Sequence, residues 1–150
     1  MKLNNILIRK GYTKIKLKKI NTNHFELKAT INGVEGRFIL DTGASNSCVE
    51  IKLAEKFKLA VKDSETKAAG AGAIGMETKI SSKNRLEFKG WKYNNCHLVL
   101  LDLTHVNTAL TEHKANAVDG IIGADILEKT GAIIDYNEQC LYLKRLVYKF

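Results

Sequence analysis

Proline is absent from this 150-residue chain. Turns must therefore rest on Gly, Asn, Asp and Ser rather than on a ring-locked φ. Long apolar runs are missing as well. Nothing approaches the roughly 20 residues of a membrane-spanning helix, and the opening "MKLNNILIRK" contains no signal-type apolar core. The expectation is a cytoplasmic protein with no membrane contact. Cysteine is scarce. Cys48, Cys96 and Cys140 are odd in number, lack a C-x-x-C pair and lie in apolar stretches, so they read as buried, reduced thiols and not as a disulfide framework.

Acidic residues are missing from positions 1–20, which hold Lys2, Arg9, Lys10, Lys14, Lys16, Lys18 and Lys19. The remaining 130 residues are nearly balanced, so most of the +8 net charge sits at the N-terminus. Residues 1–11 read as a basic N-terminal arm, and the lysines that follow as the blunted, solvated edge of a sheet. With no aromatic ladder and no helical basic stripe, no nucleic-acid partner is expected.

What is present is mostly period-2 alternation, the mark of half-buried strands. "TKIKLKKI" (13–20) and "HFELKATI" (24–31) alternate, and "VEGRFIL" (34–40) resumes after Asn32-Gly33, a strong two-residue hairpin signal. "CVEI" reads as a short strand and 51–59 as a short helix. "METKISS" and "RLEFKGWKY" read as two strands, and "CHLVLLDL" (96–103) as a buried one. Residues 104–113 show a helical stripe with Thr104 as N-cap. "VDGIIGADILEKTG" (118–131) reads as a buried strand ending at Gly123, then a short helix stopped by Gly131. Two strands around Asn137-Glu138 close the chain. The reading is one all-β domain over 12–150 with two or three short helices.

One stretch carries chemistry. In "FILDTGAS" (38–45) a buried strand ends on Asp41, followed by the small residues Thr42, Gly43, Ala44 and Ser45. A carboxylate placed there needs hydrogen bonds or a solvated cleft. Thr42 can pin the loop, Gly43 permits close backbone approach and unusual φ, and turn N–H groups with the Ser45 hydroxyl can donate to the carboxylate. A lone carboxylate serves as a general base. Two carboxylates about 3 Å apart share one proton, so one activates water while the other protonates a carbonyl.

"FILDTGAS" followed some eighty residues later by "GIIG" (120–123) resembles the retropepsin-like aspartic proteases, over about residues 12–144. The resemblance implies a closed, barrel-like acid-protease fold with a flap hairpin. It implies Asp41 as catalytic aspartate, Thr42 gripping the partner subunit's loop and Gly43 shaping the turn. Substrate contacts would come from Ala44, Ser45 and a flap carrying Gly70, Ala71, Gly72, Ala73 and Ile74. No metal and no cofactor is implied. The sequence holds no second Asp-Thr-Gly or Asp-Ser-Gly, so one chain looks like half a site. The expectation is a homodimer pairing Asp41 with its copy and hydrolysing a peptide or protein substrate. A non-catalytic, dimeric peptide-binding module of the same fold is the competing reading. Asp125, the one tempting internal partner, reads as a helix-start residue.

Other patterns lead elsewhere. "GAGAIG" (70–75) fits G-x-G-x-x-G, yet a strand-like stretch follows it and no acid lies near position 95, which excludes a dinucleotide site. His24, His97, His105 and His113 have no metal-ligand spacing. Cys48 has no evident His partner, and Ser45 and Ser47 do not form G-x-S-x-G.

Overall fold

Asn32 and Gly33 take φ of +50° and +85°, the two left-handed positions that a type I′ hairpin turn requires. They join β3 (Phe25–Ile31) to β4 (Val34–Leu40) in register from Phe25↔Leu40 to Ile31↔Val34. The computed structural model describes residues 2–63 and 77–146. The Gly-rich segment expected as a flap, with Gly70, Ala71, Gly72, Ala73 and Ile74, lies outside the described residues.

Before this hairpin come α1 (Leu3–Arg9), β1 (Tyr12–Lys16) and β2 (Lys18–Lys19). After it come β5 (Cys48–Glu50), β6 (Lys62–Asp63), β7 (Lys79–Phe88), β8 (Trp91–Leu101), α2 (Thr104–Glu112), β9 (Gly120–Ile122), α3 (Ala124–Lys129), β10 (Ile133–Asp135) and β11 (Cys140–Lys144). Strands pair in the order β3-β4-β9-β5-β8-β7, and β7 pairs back with β3. The result is a closed six-stranded barrel with three helices around it. β2 and β6 extend its edges, and β1-β11-β10 form a small second sheet. The Trp91 indole N–H donates to Lys144 O at 3.0 Å and ties that sheet to the barrel. The core holds Phe38, Val49, Phe57, Leu86, Leu98, Leu100 and Ile122, all essentially inaccessible. Each comes from the inward set of an alternating strand or from a short connecting turn, which is how period-2 patterning closes a barrel.

Several local expectations need correction. Within the expected basic arm, Leu3–Arg9 is helical. Leu7 packs on Cys140 and Tyr142, and that contact supplies what the capless seven-residue helix lacks. Only Ile51–Leu53 of the expected 51–59 helix is regular, as a 3₁₀ turn. The turns beyond mix spacings, with Phe57 N on Leu53 O, Lys58 N on Glu55 O and Leu59 N on Ala54 O. The two strands expected over 76–93 are, within the described residues, one long strand, Lys79–Phe88, and the start of the next at Trp91, because a bulge between Ser81 and Asn84, with Lys83 at φ +60°, lets β7 continue. Thr104 does not cap α2. The N-cap is Leu103, and the preceding Asp102 carboxylate accepts from the Thr104 N–H (2.8 Å) and its hydroxyl. The lysine-rich strands behave as expected: β1 and β2 are edges of their sheets, with Lys14, Lys16, Lys18 and Lys19 exposed. The three cysteines are buried and free. Among the described residues no helix is long and apolar enough to cross a membrane.

Candidate active site

Asp41 sits where three strands meet. β4 delivers it, parallel to β9 through Phe38↔Gly120, Ile39↔Ile121 and Leu40↔Ile122. β9 in turn runs antiparallel to β5, so it is wedged between the strand entering the Asp-Thr-Gly turn and the strand leaving it. The wedge requires the glycines of "GIIG". A Cβ on Gly120 would lie 2.2 Å from Cys48 O and 2.7 Å from the Phe38 ring, and one on Gly123 would lie 2.6 Å from Ala44 O. Such separations do not occur between real atoms, so no other residue fits without displacing backbone.

Hydrogen bonds lock the turn. The Asp41 N–H donates to Ile122 O (3.0 Å), Ala44 N–H to Asp41 O (3.2 Å) and Ala124 N–H to Ala44 O (2.7 Å). The half-buried Asp41 carboxylate accepts the Gly43 N–H on Oδ1 at 2.9 Å. Gly43 does not adopt a positive φ, so its value is room and not unusual torsion: a Cβ there would crowd Oδ1 at 3.3 Å. Thr42, Gly43 and Ser45 are exposed and Ala44 half-buried. The Ser45 hydroxyl, expected to donate to Asp41, instead accepts from Asn46 Nδ2 at 3.4 Å.

The hydroxyl that organises the loop is Ser47, which is fully buried. It accepts the Gly123 N–H at 2.9 Å and donates to Asp125 Oδ1 at 2.7 Å. That same carboxylate oxygen takes the N–H groups of Ser47 and Ile126, both at 2.9 Å. Asp125 is thus the helix-start residue expected, in the first turn of α3. It is also a clamp between α3 and the loop that carries Asp41. The pairing of Ser47 with a residue 78 positions away leaves no local pattern in the sequence.

Beside Asp41 lies a cavity of ≈ 560 Å³. Ile39 and Ile121 line it next to the carboxylate, α2 contributes Val106, Ala109, Leu110 and His113 follows, and the 21–24 loop contributes His24. Sequence reasoning missed these residues. Ile39 and Ile121 read only as strand positions, and the α2 stripe only as the mark of a helix. The His24 ring bonds Thr22 and the His113 ring bonds Ala109 O, each at 2.8 Å. Among the described residues no cluster of His, Cys, Asp or Glu forms a metal site. Burial pushes the Cys48 thiol up to about 12, against the lowering effect of a backbone hydrogen bond from Ile121 and with Asp125 and Asp41 adding to the rise. A thiol held protonated in this way is no nucleophile.

A family model described as aspartyl protease matches residues 27–126, a span that includes both the Asp41 turn and the GIIG wedge. The chain belongs to the aspartyl protease family. Its fold is retropepsin-like. A retropepsin-like aspartic protease from Rickettsia conorii superposes with a TM-score of 0.59 at 21% identity, over 88% of this chain and 91% of that one. The EIAV protease, in complex with the inhibitor HBY-793, gives 0.54 at 20% identity over 82% and 91%. The retroviral protease-like domain of Ddi1 from Leishmania major gives 0.53 at 20% over 81% and 93%. No curated protein sequence matches. At these identities the shared property is the fold, and Asp41 occupies the turn that this family member builds with its strand wedge.

Proposed function

We propose that this aspartyl protease family member is an active endopeptidase that works as a homodimer, with Asp41 paired against Asp41 of a second copy. The observation that carries this reading is an incomplete site. Asp41 is rigidly held, partly open and next to a cavity, yet Asp125, the internal partner that the sequence suggested, has one carboxylate oxygen engaged by three donors. An isologous two-fold contact supplies the missing carboxylate without any further residue from this chain.

In the pair, one carboxylate removes a proton from water as the water attacks the scissile carbonyl. The other donates its proton to the carbonyl oxygen, giving a tetrahedral diol. Collapse of that diol returns a proton to the leaving amine. Because one proton must be shared, activity lies on the acid side and falls as pH rises and the pair loses it. Thr42, exposed beside Asp41, is placed to meet the second copy. The Ile39–Ile121 cavity receives an apolar side chain flanking the scissile bond, and the rest of the substrate lies extended across the dimer.

The test is Asp41→Asn. Asn is isosteric and accepts the Gly43 N–H, so fold is retained, but it cannot shuttle a proton. Loss of about 10²–10⁴ in cleavage rate of a peptide library is expected, with an unchanged far-UV spectrum. Cleavage within a few-fold of wild type would remove the aspartic mechanism. Wild-type protein that binds peptides without cleaving them at any pH would favour the binding-module reading instead.

A further inference from the structure

A second groove, ≈ 750 Å³, shares no residue with the cavity beside Asp41. It lies between the 15–19 segment and the 87–89 turn. Across it runs β3, which pairs with β2 at 25–26 and with β7 at 30–31. Among the described residues no strand covers that side of 27–29. Its apolar lining includes Leu17 and Leu27, both buried.

The charge of the groove is lopsided. Its three carboxylates are already engaged: Glu26 with Arg37 at 3.0 Å, Glu35 with Lys28 at 3.8 Å and Glu87 with Arg85 at 3.0 Å. Lys16, Lys18, Lys19 and Lys89 have no carboxylate within 4 Å among the described residues. Four unneutralised ammonium groups on two facing walls give the groove a positive potential. Lys16 and Lys18 stand two residues apart on one side of an extended segment, a spacing of about 7 Å, which matches alternate side chains of an extended peptide.

We propose that this groove is an exosite for an acidic, extended segment of a protein, which it binds at a distance from the Asp41 site. Carboxylates on alternate residues meet Lys16, Lys18, Lys19 and Lys89, and the peptide backbone lies along the uncovered stretch of β3. A nucleic acid fits less well, because the groove presents no exposed aromatic for base stacking (Phe88 is 3% exposed). The inference rests on the proteolytic reading only in taking the occupant to be part of a substrate. Binding itself needs no turnover.

The experiment measures anisotropy of a fluorescent peptide alternating Glu and Val, titrated with the full chain carrying Asp41→Asn. Saturable one-site binding that weakens with salt is expected. Adding Lys16→Ala/Lys89→Ala, one lysine from each wall, should weaken it about tenfold. Adding Lys52→Ala/Lys62→Ala, with the same change of net charge elsewhere, should leave it within about twofold. Equal weakening by both pairs, or no saturation, overturns the exosite. So does a single-stranded oligonucleotide that binds more tightly and displaces the peptide, which would assign the groove to nucleic acid. Failure of proteolysis in the wild type would leave the binding result standing, so the two readings fail separately.

Discussion

Ser47 Oγ stands 2.7 Å from Asp125 Oδ1 and 2.9 Å from the Gly123 nitrogen, so one buried hydroxyl holds the Asp41 loop to both β9 and α3. Removing it leaves the Gly123 N–H without its acceptor and takes one of three donors from Asp125. Ser47→Ala should therefore cost about 1–3 kcal/mol in urea unfolding and lower cleavage activity through a loosened loop. Asp125→Asn keeps an acceptor oxygen for Ser47 and should be milder on both counts. A folded Asp125→Asn protein with no activity at all would instead give Asp125 a chemical role and undercut the half-site argument.

The glycines of the wedge give a second expectation. Gly120→Ala places a methyl 2.2 Å from Cys48 O and 2.7 Å from Phe38. Both neighbours belong to the barrel, and a backbone carbonyl cannot swing aside as a side-chain tip does. Loss of about 3 kcal/mol or more is expected, read as loss of soluble protein or a large drop in melting temperature. Gly90→Ala is the comparison. That residue sits in an open turn at φ +79° with only Thr13 Cγ2 within 4 Å, so the cost there is torsional and smaller, on the order of 1 kcal/mol. Equal effects would mean that the wedge is not as tight as the geometry requires.

These two sites mark the boundary between what the sequence displays and what it conceals. Asn32-Gly33, the FIL strand and the Gly131 helix stop are local signals, each set by torsion or periodicity within a few residues; the Asp-Thr-Gly-Ala turn and GIIG are legible as short motifs although long-range packing requires the wedge glycines. The Ser47–Asp125 clamp joins positions 78 apart, and no local pattern reports it. The helix α1 has no acidic first turn and no side-chain cap, so its stability comes from Leu7 on Cys140 and Tyr142, a contact across the whole length of the chain. The expected helix after β5 is displaced by a tertiary demand. Glu50 turns its carboxylate to the Lys52 N–H at 2.8 Å and the Leu103 N–H at 3.2 Å, which fixes a tight turn where periodicity suggested longer helix. The cavity beside Asp41 is likewise assembled from α2, β4, β9 and the 21–24 loop, elements that the sequence shows only one at a time.

Stability should fall on the alkaline side. Burial pushes the Cys48 and Cys96 thiols up from 9.0 to about 12. Between these values the folded chain keeps two protons that the unfolded chain releases. The stabilisation is complete below pH 9 and is lost as pH climbs toward 12, with a slope of up to about 1.4 kcal/mol per pH unit for each thiol. Urea midpoints measured from pH 8 to 10.5 should decline, and Cys96→Ala should flatten the slope even if it lowers the plateau. A flat profile in the wild type would mean that these thiols ionise as readily in the fold as in water.

Dimerisation yields the most demanding expectation. If Asp41 works only beside its copy, the rate measures dimer and not chain. Well below the dimer Kd it should scale with about the square of total chain concentration, and far above it linearly, because mass action sets the paired population. Co-refolding wild type with excess Asp41→Asn should suppress activity beyond simple dilution, since mixed dimers carry one proton-shuttling carboxylate where the reaction needs two. Thr42→Ala, which alters an exposed hydroxyl beside the proposed contact, should raise the concentration at which the square law gives way, with the far-UV spectrum unchanged. Sedimentation run in parallel identifies the active species. Full activity from a particle of 16.7 kDa would end the pairing argument, because one chain would then hold both carboxylates.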